Sequence, residues 1–206
     1  MTRDTRFYVC RGPAAPIIAR VRASIAALLA TAAAAIVPAA PAQAAHGCAH
    51  ANRSAASAPT GEMRAAVVCL VNRERAAQHL PVLHADHRLN HSAQRWSDAM
   101  VSSRAFTHGA NFAGRISAAG FRWAAAGENI ATGYPTPRQV VAEWMASAGH
   151  CENILNPTYR SVGTGINRHP VAGYASGPAT WTQDFGLAMG RPAPSRNWGP
   201  AHGCPY

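Results

Sequence analysis

The chain has 206 residues, of which 48% are hydrophobic and 14% are charged. This length suits one folded domain, and this composition excludes wholesale disorder. All 19 basic residues are arginine, and they outnumber the 9 acidic residues to give a formal net charge of +10. The arginines are scattered singly, without a basic cluster or an aromatic platform, so the charge favours a solvated basic surface over nucleic-acid binding.

The first 44 residues have the three parts of a secretory signal peptide. Five arginines precede an Ala/Leu/Ile-rich run that ends near Val37. Small residues follow this run, and they end in an A-x-A pattern at Ala44. We expect cleavage after Ala44, giving a secreted or cell-wall-associated protein with no stable membrane span. One alternative is an uncleaved membrane anchor, but the apolar run is short and mostly alanine. The other is a lipid-modified Cys48, but the residues before Cys48 lack the leucine that lipoprotein signals usually carry.

Residues 45–59 are rich in Ala, Ser and His, have no period, and are expected to form a flexible lead-in. Beyond them, four stretches show helical periodicity with a start or stop signal. The predicted helices run from Thr60 to about His79, from Asp86 past Met100, across residues 113–119, and from Thr136 to Gly149. The predicted strands are residues 129–132, 162–167 and 180–186. Because the helices come early in the chain and the strands come late, we expect an α+β domain over residues 60–191. A proline-rich tail follows at residues 192–206.

Four cysteines remain after the leader, which takes Cys10 with it. An even number of cysteines in an exported chain predicts disulfides, and the spacing fits no zinc-ribbon pattern. The four are Cys48, Cys69, Cys151 and Cys204. They allow three pairings.

Short motifs occur in a fixed order between residues 69 and 185. They are CLVNRER at 69–75, FTH at 106–108, GENI at 127–130, WMASAGH at 144–150, NILNP at 153–157, GTGI at 163–166 and WTQDF at 181–185. Each motif alone is a weak signal. Together and in this order they resemble the bacterial branch of the superfamily of cysteine-rich secretory proteins, antigen 5 and pathogenesis-related proteins.

The resemblance implies a three-layer α-β-α sandwich with a small antiparallel sheet, and a cleft lined by two histidines and one or two glutamates. Carried onto this chain, those positions are His108, Glu128 and His150. Ser147 stands where animal and plant relatives have the second glutamate. Glu143 is near in sequence, but in an ideal helix it points about 60° away from the apolar stripe.

A disulfide between Cys69 and Cys151 is predicted, because it would pin the first helix to the cleft wall. Cys69 lies on the apolar side of that helix, and Cys151 directly follows His150. The remaining pair, Cys48 and Cys204, would then link the two ends of the domain covalently. Long closed loops of this kind constrain the unfolded chain most strongly.

The imidazoles of His108 and His150 could bind a divalent ion such as zinc, and Glu128 could accept a proton from bound water. The chain has no H-E-x-x-H motif and no third obvious ligand, so a metal is a possible cofactor rather than a required one. Trp96 and Trp144 are interpreted as core residues, because each lies on the apolar stripe of its helix.

The leading hypothesis is a monomeric, non-enzymatic extracellular module whose cleft binds a lipid, a peptide or a cell-envelope component. The first alternative is a metal-dependent hydrolase of peptide or cell-wall material that acts through His108, Glu128 and His150. The second alternative is a structural envelope protein without a small ligand. Metal content of the purified protein separates the hydrolase from the other two, and lipid extracted from the protein separates the binding module from the structural protein.

Overall fold

A computed structural model describes residues 47–193 and Cys204. The predicted leader and its cleavage site at Ala44 lie outside the described residues, as does most of the predicted tail. The helices are α1 Thr60–Ala77, α2 His87–Ser103, α3 Phe112–Ala118, α4 Pro137–Met145 and α5 Ala148–Ile154. The strands are β1 His84–Ala85, β2 Trp123–Thr132, β3 Ser161–Asn167 and β4 Thr180–Ala188. Within this part of the chain, no helix is both long and apolar enough to span a membrane.

The four strands form one sheet in the order β1-β3-β4-β2. β4 pairs antiparallel with both β2 and β3, whereas the two-residue β1 adds parallel to β3. In the β2–β4 register, Glu128 lies opposite Asp184. The sheet therefore places two carboxyl groups on neighbouring strands.

Helices cover both faces of the sheet. On one face, α2 packs on β3 and β4, and α3 joins it over a small apolar cluster that includes Leu89, Ile116 and Phe121. On the other face, α1, α4 and α5 enclose the larger core, where Trp144 and Trp181 are fully buried. This arrangement confirms the three-layer α+β sandwich.

Two glycines of β3 allow α2 to approach the sheet closely. A Cβ atom on Gly163 would lie 2.1 Å from the backbone of Leu89, and one on Gly165 would lie 2.1 Å from the backbone of Ala93. Real Cβ atoms do not approach backbone this closely, so any side chain here would push α2 away. The GTGI motif therefore has a packing role.

The helix start signals are confirmed at two of three sites. The Asp86 carboxylate accepts from the Arg88 amide at the start of α2, and the Thr136 hydroxyl accepts from the Gln139 amide at the start of α4. At the start of α1, Pro59 occupies the capping position, and Thr60 is already helical.

The helix predicted to run from Thr136 to Gly149 is two helices in the structure. α4 ends at Met145, and the backbone turns extended at Ser147 before α5 begins. The Cys151 amide then bonds to the Ser147 carbonyl at 2.8 Å. Gly149 and His150 consequently lie in the first turn of a new helix, where Gly149 is not a stop signal.

Residues 47–59 do not form the flexible lead-in that was expected. Their small apolar side chains enter the main core, and those buried are Cys48, Ala51, Ala55 and Ala58. The backbone is held too, because the Ala55 amide bonds to the Pro135 carbonyl at 2.8 Å and the Arg138 amide bonds to the Ala51 carbonyl at 2.9 Å. Alanine-rich sequence without a period was mistaken for disorder.

The predicted disulfide pairing was wrong. The bridges join Cys48 to Cys69 and Cys151 to Cys204, so all four cysteines are paired but with other partners. Because residues 47–59 pack against the core, Cys48 reaches the middle of α1. The C-terminal Cys204 is joined instead to α5.

Candidate functional site

Glu128 is the buried centre of a charged group near the middle of β2. It lies on β2, its side chain is only 2% exposed, and both of its oxygens are used. Oε1 lies 2.9 Å from His108 Nδ1, and Oε2 accepts from Arg115 Nη2 at 2.6 Å. His108 and Glu128, which the resemblance assigns to one cleft, are therefore in contact, and Arg115 is the third member of the group.

Arg115 was not singled out in the sequence, although it determines the charge balance of this group. It lies on α3, donates from Nη1 to the His108 carbonyl at 3.0 Å, and stacks 3.6 Å above the Trp96 ring. A buried carboxylate needs a partner of opposite charge, and a half-buried guanidinium supplies it here. The sequence signal was weak because a single arginine in a short helix has no motif.

Asp184 lies across from Glu128 and has the opposite environment. Its side chain is fully buried and neither carboxyl oxygen has a hydrogen-bond partner. Ser92 is a close neighbour that influences the carboxyl, but the geometry between them is not that of a hydrogen bond. Burial, with the charge of Glu128 as the next cause, raises the pKa of Asp184 well above its usual range. Glu128 is therefore paired with a cation, whereas the surroundings of Asp184 favour the neutral form of its carboxyl.

His150 is placed by the asparagine residues of two motifs. Asn129 on β2 donates to the His150 carbonyl at 3.2 Å, and Asn153 on α5 donates to the Asn129 side chain at 2.9 Å and to the Glu128 carbonyl at 3.2 Å. These bonds attach the first turns of α5 to β2. The GENI and NILNP motifs therefore act together to hold α5 against β2.

The His150 ring has both His108 and Glu143 as charged neighbours. Its Nδ1 is buried without a hydrogen-bond partner. Burial and then the charge of His108 lower the pKa of His150, and Glu143 opposes them. Burial and the Glu143 carboxylate also raise the pKa of Tyr134. Glu143, which helical geometry alone placed away from the apolar stripe, is thus a member of the site.

These groups line a cleft of about 290 Å³ that has both polar and aromatic lining residues. Its lining residues are Phe106, Ile130, Ala131, Thr132, Tyr134, Glu143, His150 and Tyr174. The Phe106 and Tyr174 rings pack at a centroid distance of 5.7 Å, and Tyr174 is 59% exposed. Of the four predicted cleft residues, only His150 lines this cavity. His108, which is exposed, pairs with the buried Glu128, and Ser147 lies at the start of α5.

The donor set does not fit a zinc site. Within residues 47–193, no three His, Cys, Asp or Glu side chains are grouped so that they could hold a metal ion together. His108 Nδ1 is directed at Glu128, and each Glu128 oxygen already has a partner. Structural and catalytic zinc sites use three or four protein ligands, so no catalytic step is derived through a metal here.

The two tryptophans differ in their environments. Trp144 is fully buried and donates to the Ile130 carbonyl at 3.3 Å, as a core residue does. Trp96 is only partly buried, donates to the Thr107 carbonyl at 3.0 Å, and lines a cavity between α2 and α3. The core interpretation is confirmed for Trp144 and incomplete for Trp96.

Comparison with known proteins agrees with this architecture. Residues 68–185 match the model of the Cysteine-rich secretory protein family, named CAP. The uncharacterized protein YkwD of Bacillus subtilis is 38% identical over 123 residues, which are 58% of this chain and 45% of that protein. The chain thus spans less than half the length of this curated relative.

Solved structures show the same fold. An extracellular protein containing an SCP domain from Bacillus anthracis has a TM-score of 0.53 at 24% identity, covering 63% of this chain and 45% of that one. An outer surface protein from Borrelia burgdorferi also has a TM-score of 0.53, at 20% identity, covering 59% of this chain and 90% of that one. At these identities the likeness concerns the fold alone.

Proposed function

The chain belongs to the cysteine-rich secretory protein family, and on that premise we propose that it is an exported, non-enzymatic module that binds an amphipathic ligand in the cleft of His150 and Tyr174. The ligand is a lipid, a peptide or a cell-envelope component. The observation that carries this proposal is the mixed lining of the cleft, which combines Glu143 and His150 with the Phe106–Tyr174 pair. Mixed lining of this kind is typical of ligand sites.

The saturation of Glu128 supports binding over hydrolysis. A general base needs a free lone pair directed at the proton it removes. Both Glu128 oxygens are instead occupied by Arg115 and His108, and the side chain is buried. In this proposal the Glu128 group maintains the shape of the cleft wall and takes no part in chemistry.

Two features support export. The A-x-A pattern that ends at Ala44 is that of a signal-peptidase site. Both bridges, Cys48–Cys69 and Cys151–Cys204, belong to an oxidising compartment.

The proposal is tested by binding of the purified full chain to three probes: vesicles of phosphatidylethanolamine and phosphatidylglycerol, soluble peptidoglycan fragments, and a random peptide library. We expect one probe class to bind, and Tyr174→Ala to weaken that binding about tenfold, because it removes an aromatic anchor. Met189→Ala is the matched control, since Met189 is also 59% exposed but does not line the cleft. No binding to any probe, or equal losses in the two variants, would contradict the proposal.

A further inference from the structure

A second cavity lies between α2 and α3, on the face of the sheet covered by those helices. Its volume is about 240 Å³, and it shares no lining residue with the cleft of His150. Ser92, Arg95 and Trp96 line it from α2, and Arg115 and Ala118 line it from α3. The proposed cleft function leaves this cavity unused.

The polar groups at this cavity do not have well-formed hydrogen bonds for all of their buried donors. Ser92 is 3% exposed, and its hydroxyl lies close to the Asp184 carboxyl without the geometry of a hydrogen bond. Arg115 has two of its nitrogens engaged by Glu128 and His108, but its Nε is buried without a partner. Buried donors without acceptors are costly, and a ligand that supplies acceptor oxygens would remove that cost.

The cavity also has an excess of positive charge. Arg95 is exposed and makes no ion pair or hydrogen bond with any residue that the structure describes. No carboxylate is among the lining residues, since Glu128 lies behind Arg115 and is already paired. The remainder of the wall is apolar, formed by Ala99, Ala118 and Ala119 together with the indole of Trp96.

We propose that this cavity is a binding site for a small amphiphilic organic anion. Its carboxylate accepts hydrogen bonds from the Ser92 hydroxyl and the arginines, and its short apolar body lies along the alanines of α2 and α3. The volume is below the roughly 300–1,000 Å³ of sites for drug-sized ligands, so the ligand is a small molecule rather than a polymer segment.

The test is an NMR titration of the full, disulfide-bonded chain with hexanoate, using hexanamide as the neutral probe of the same shape. Hexanoate is expected to cause saturable shifts at the Ala118 and Ala119 amides and at the Trp96 indole N–H. Hexanamide should bind at least about tenfold more weakly, because hydrogen bonds to a charged acceptor are the stronger ones. Equal affinity for both probes, or shifts confined to other parts of the chain, would overturn the proposal.

Three variants locate the site. Arg95→Gln should weaken hexanoate binding about tenfold, whereas Arg73→Gln, an equally exposed arginine on α1, should leave it unchanged. Ser92→Ala should weaken hexanoate binding, and its Tm is measured alongside because the hydroxyl also lies close to the Asp184 carboxyl. Equal effects of the two arginine variants would show a nonspecific response to charge and would refute the site.

Discussion

Glu128 and Asp184 lie on paired strands, but their surroundings differ, and their effects on stability should therefore differ too. Glu128 has an arginine and a histidine as partners, while Asp184, directly opposite, has no hydrogen bond. Two ionised carboxylates this close and this buried would repel each other, so the pair is stable with one proton on Asp184. The two residues therefore respond to loss of charge in opposite directions.

We predict that Asp184→Asn stabilises the fold at pH 7 by roughly 1–3 kcal/mol. The pKa of Asp184 is raised in the folded state, so its contribution to stability is complete below the unfolded pKa of about 4 and is lost as pH rises toward the folded value. The difference between variant and wild type should therefore grow from pH 4 upward in urea melts. Asp98→Asn, a change at an exposed carboxylate, is the control. A variant less stable than wild type at pH 7 would contradict this assignment.

Glu128→Gln should instead destabilise the fold at pH 7, by roughly 1–3 kcal/mol, because it leaves Arg115 without its charged partner. Its effect should grow in the background of Asp184→Asn, because in the wild type the loss is partly offset by relief of the repulsion between the two carboxyls. The double-mutant cycle, measured by urea unfolding, checks both statements. Additive effects would mean that the two side chains are independent.

At the level of elements, the sequence predicted what local signals specify. The caps of Asp86 and Thr136 and the late antiparallel strands follow from short-range rules and are confirmed. The break between α4 and α5 was missed because the residues around Ser147 carry no proline and keep helical composition on both sides. That break places His150 in the first turn of α5.

Two glycines should respond oppositely to alanine. Gly149 lies within α5, has no atom within 4 Å of an added Cβ, and has no left-handed backbone, so Gly149→Ala should stabilise by about 0.5–1 kcal/mol. Gly165→Ala should destabilise the fold, and by several times that free energy, because its Cβ would overlap the backbone of α2 at Ala93. Thermal melts of the two variants check this. A neutral Gly165→Ala would show that α2 is not packed this closely on β3.

The disulfides connect distant parts of the molecule, and sequence alone leaves their pairing open because it contains no distances between elements. The bridges span 21 and 53 residues, which the chain-entropy model values at about 3 and about 4 kcal/mol. Trypsin places each cysteine on its own peptide, since arginines lie between all of them. Mapping without reduction should link the peptide of Cys48 to that of Cys69. A link between Cys69 and Cys151 would restore the pairing expected from sequence and contradict the structure.

For the whole molecule, the family motifs predicted the sandwich and the pair of His108 and Glu128, but most of the cleft lies outside those motifs. Tyr134 and Tyr174 come from connecting segments, and Arg115 comes from a short helix. Side chains from loops have no period, so only the folded chain shows that they meet. The two cavities share no lining residue, so their ligands can be tested separately.

The central claim is that the His108–Glu128–Arg115 group is structural and that the cleft works without a metal. Titration calorimetry of the full chain with zinc at neutral pH tests this most directly, with His108→Ala and His150→Ala measured in parallel. The account predicts no stoichiometric binding that depends on both histidines, because no third ligand is grouped with them among the described residues. One zinc ion bound at micromolar protein and lost in both variants would contradict the account and favour the hydrolase.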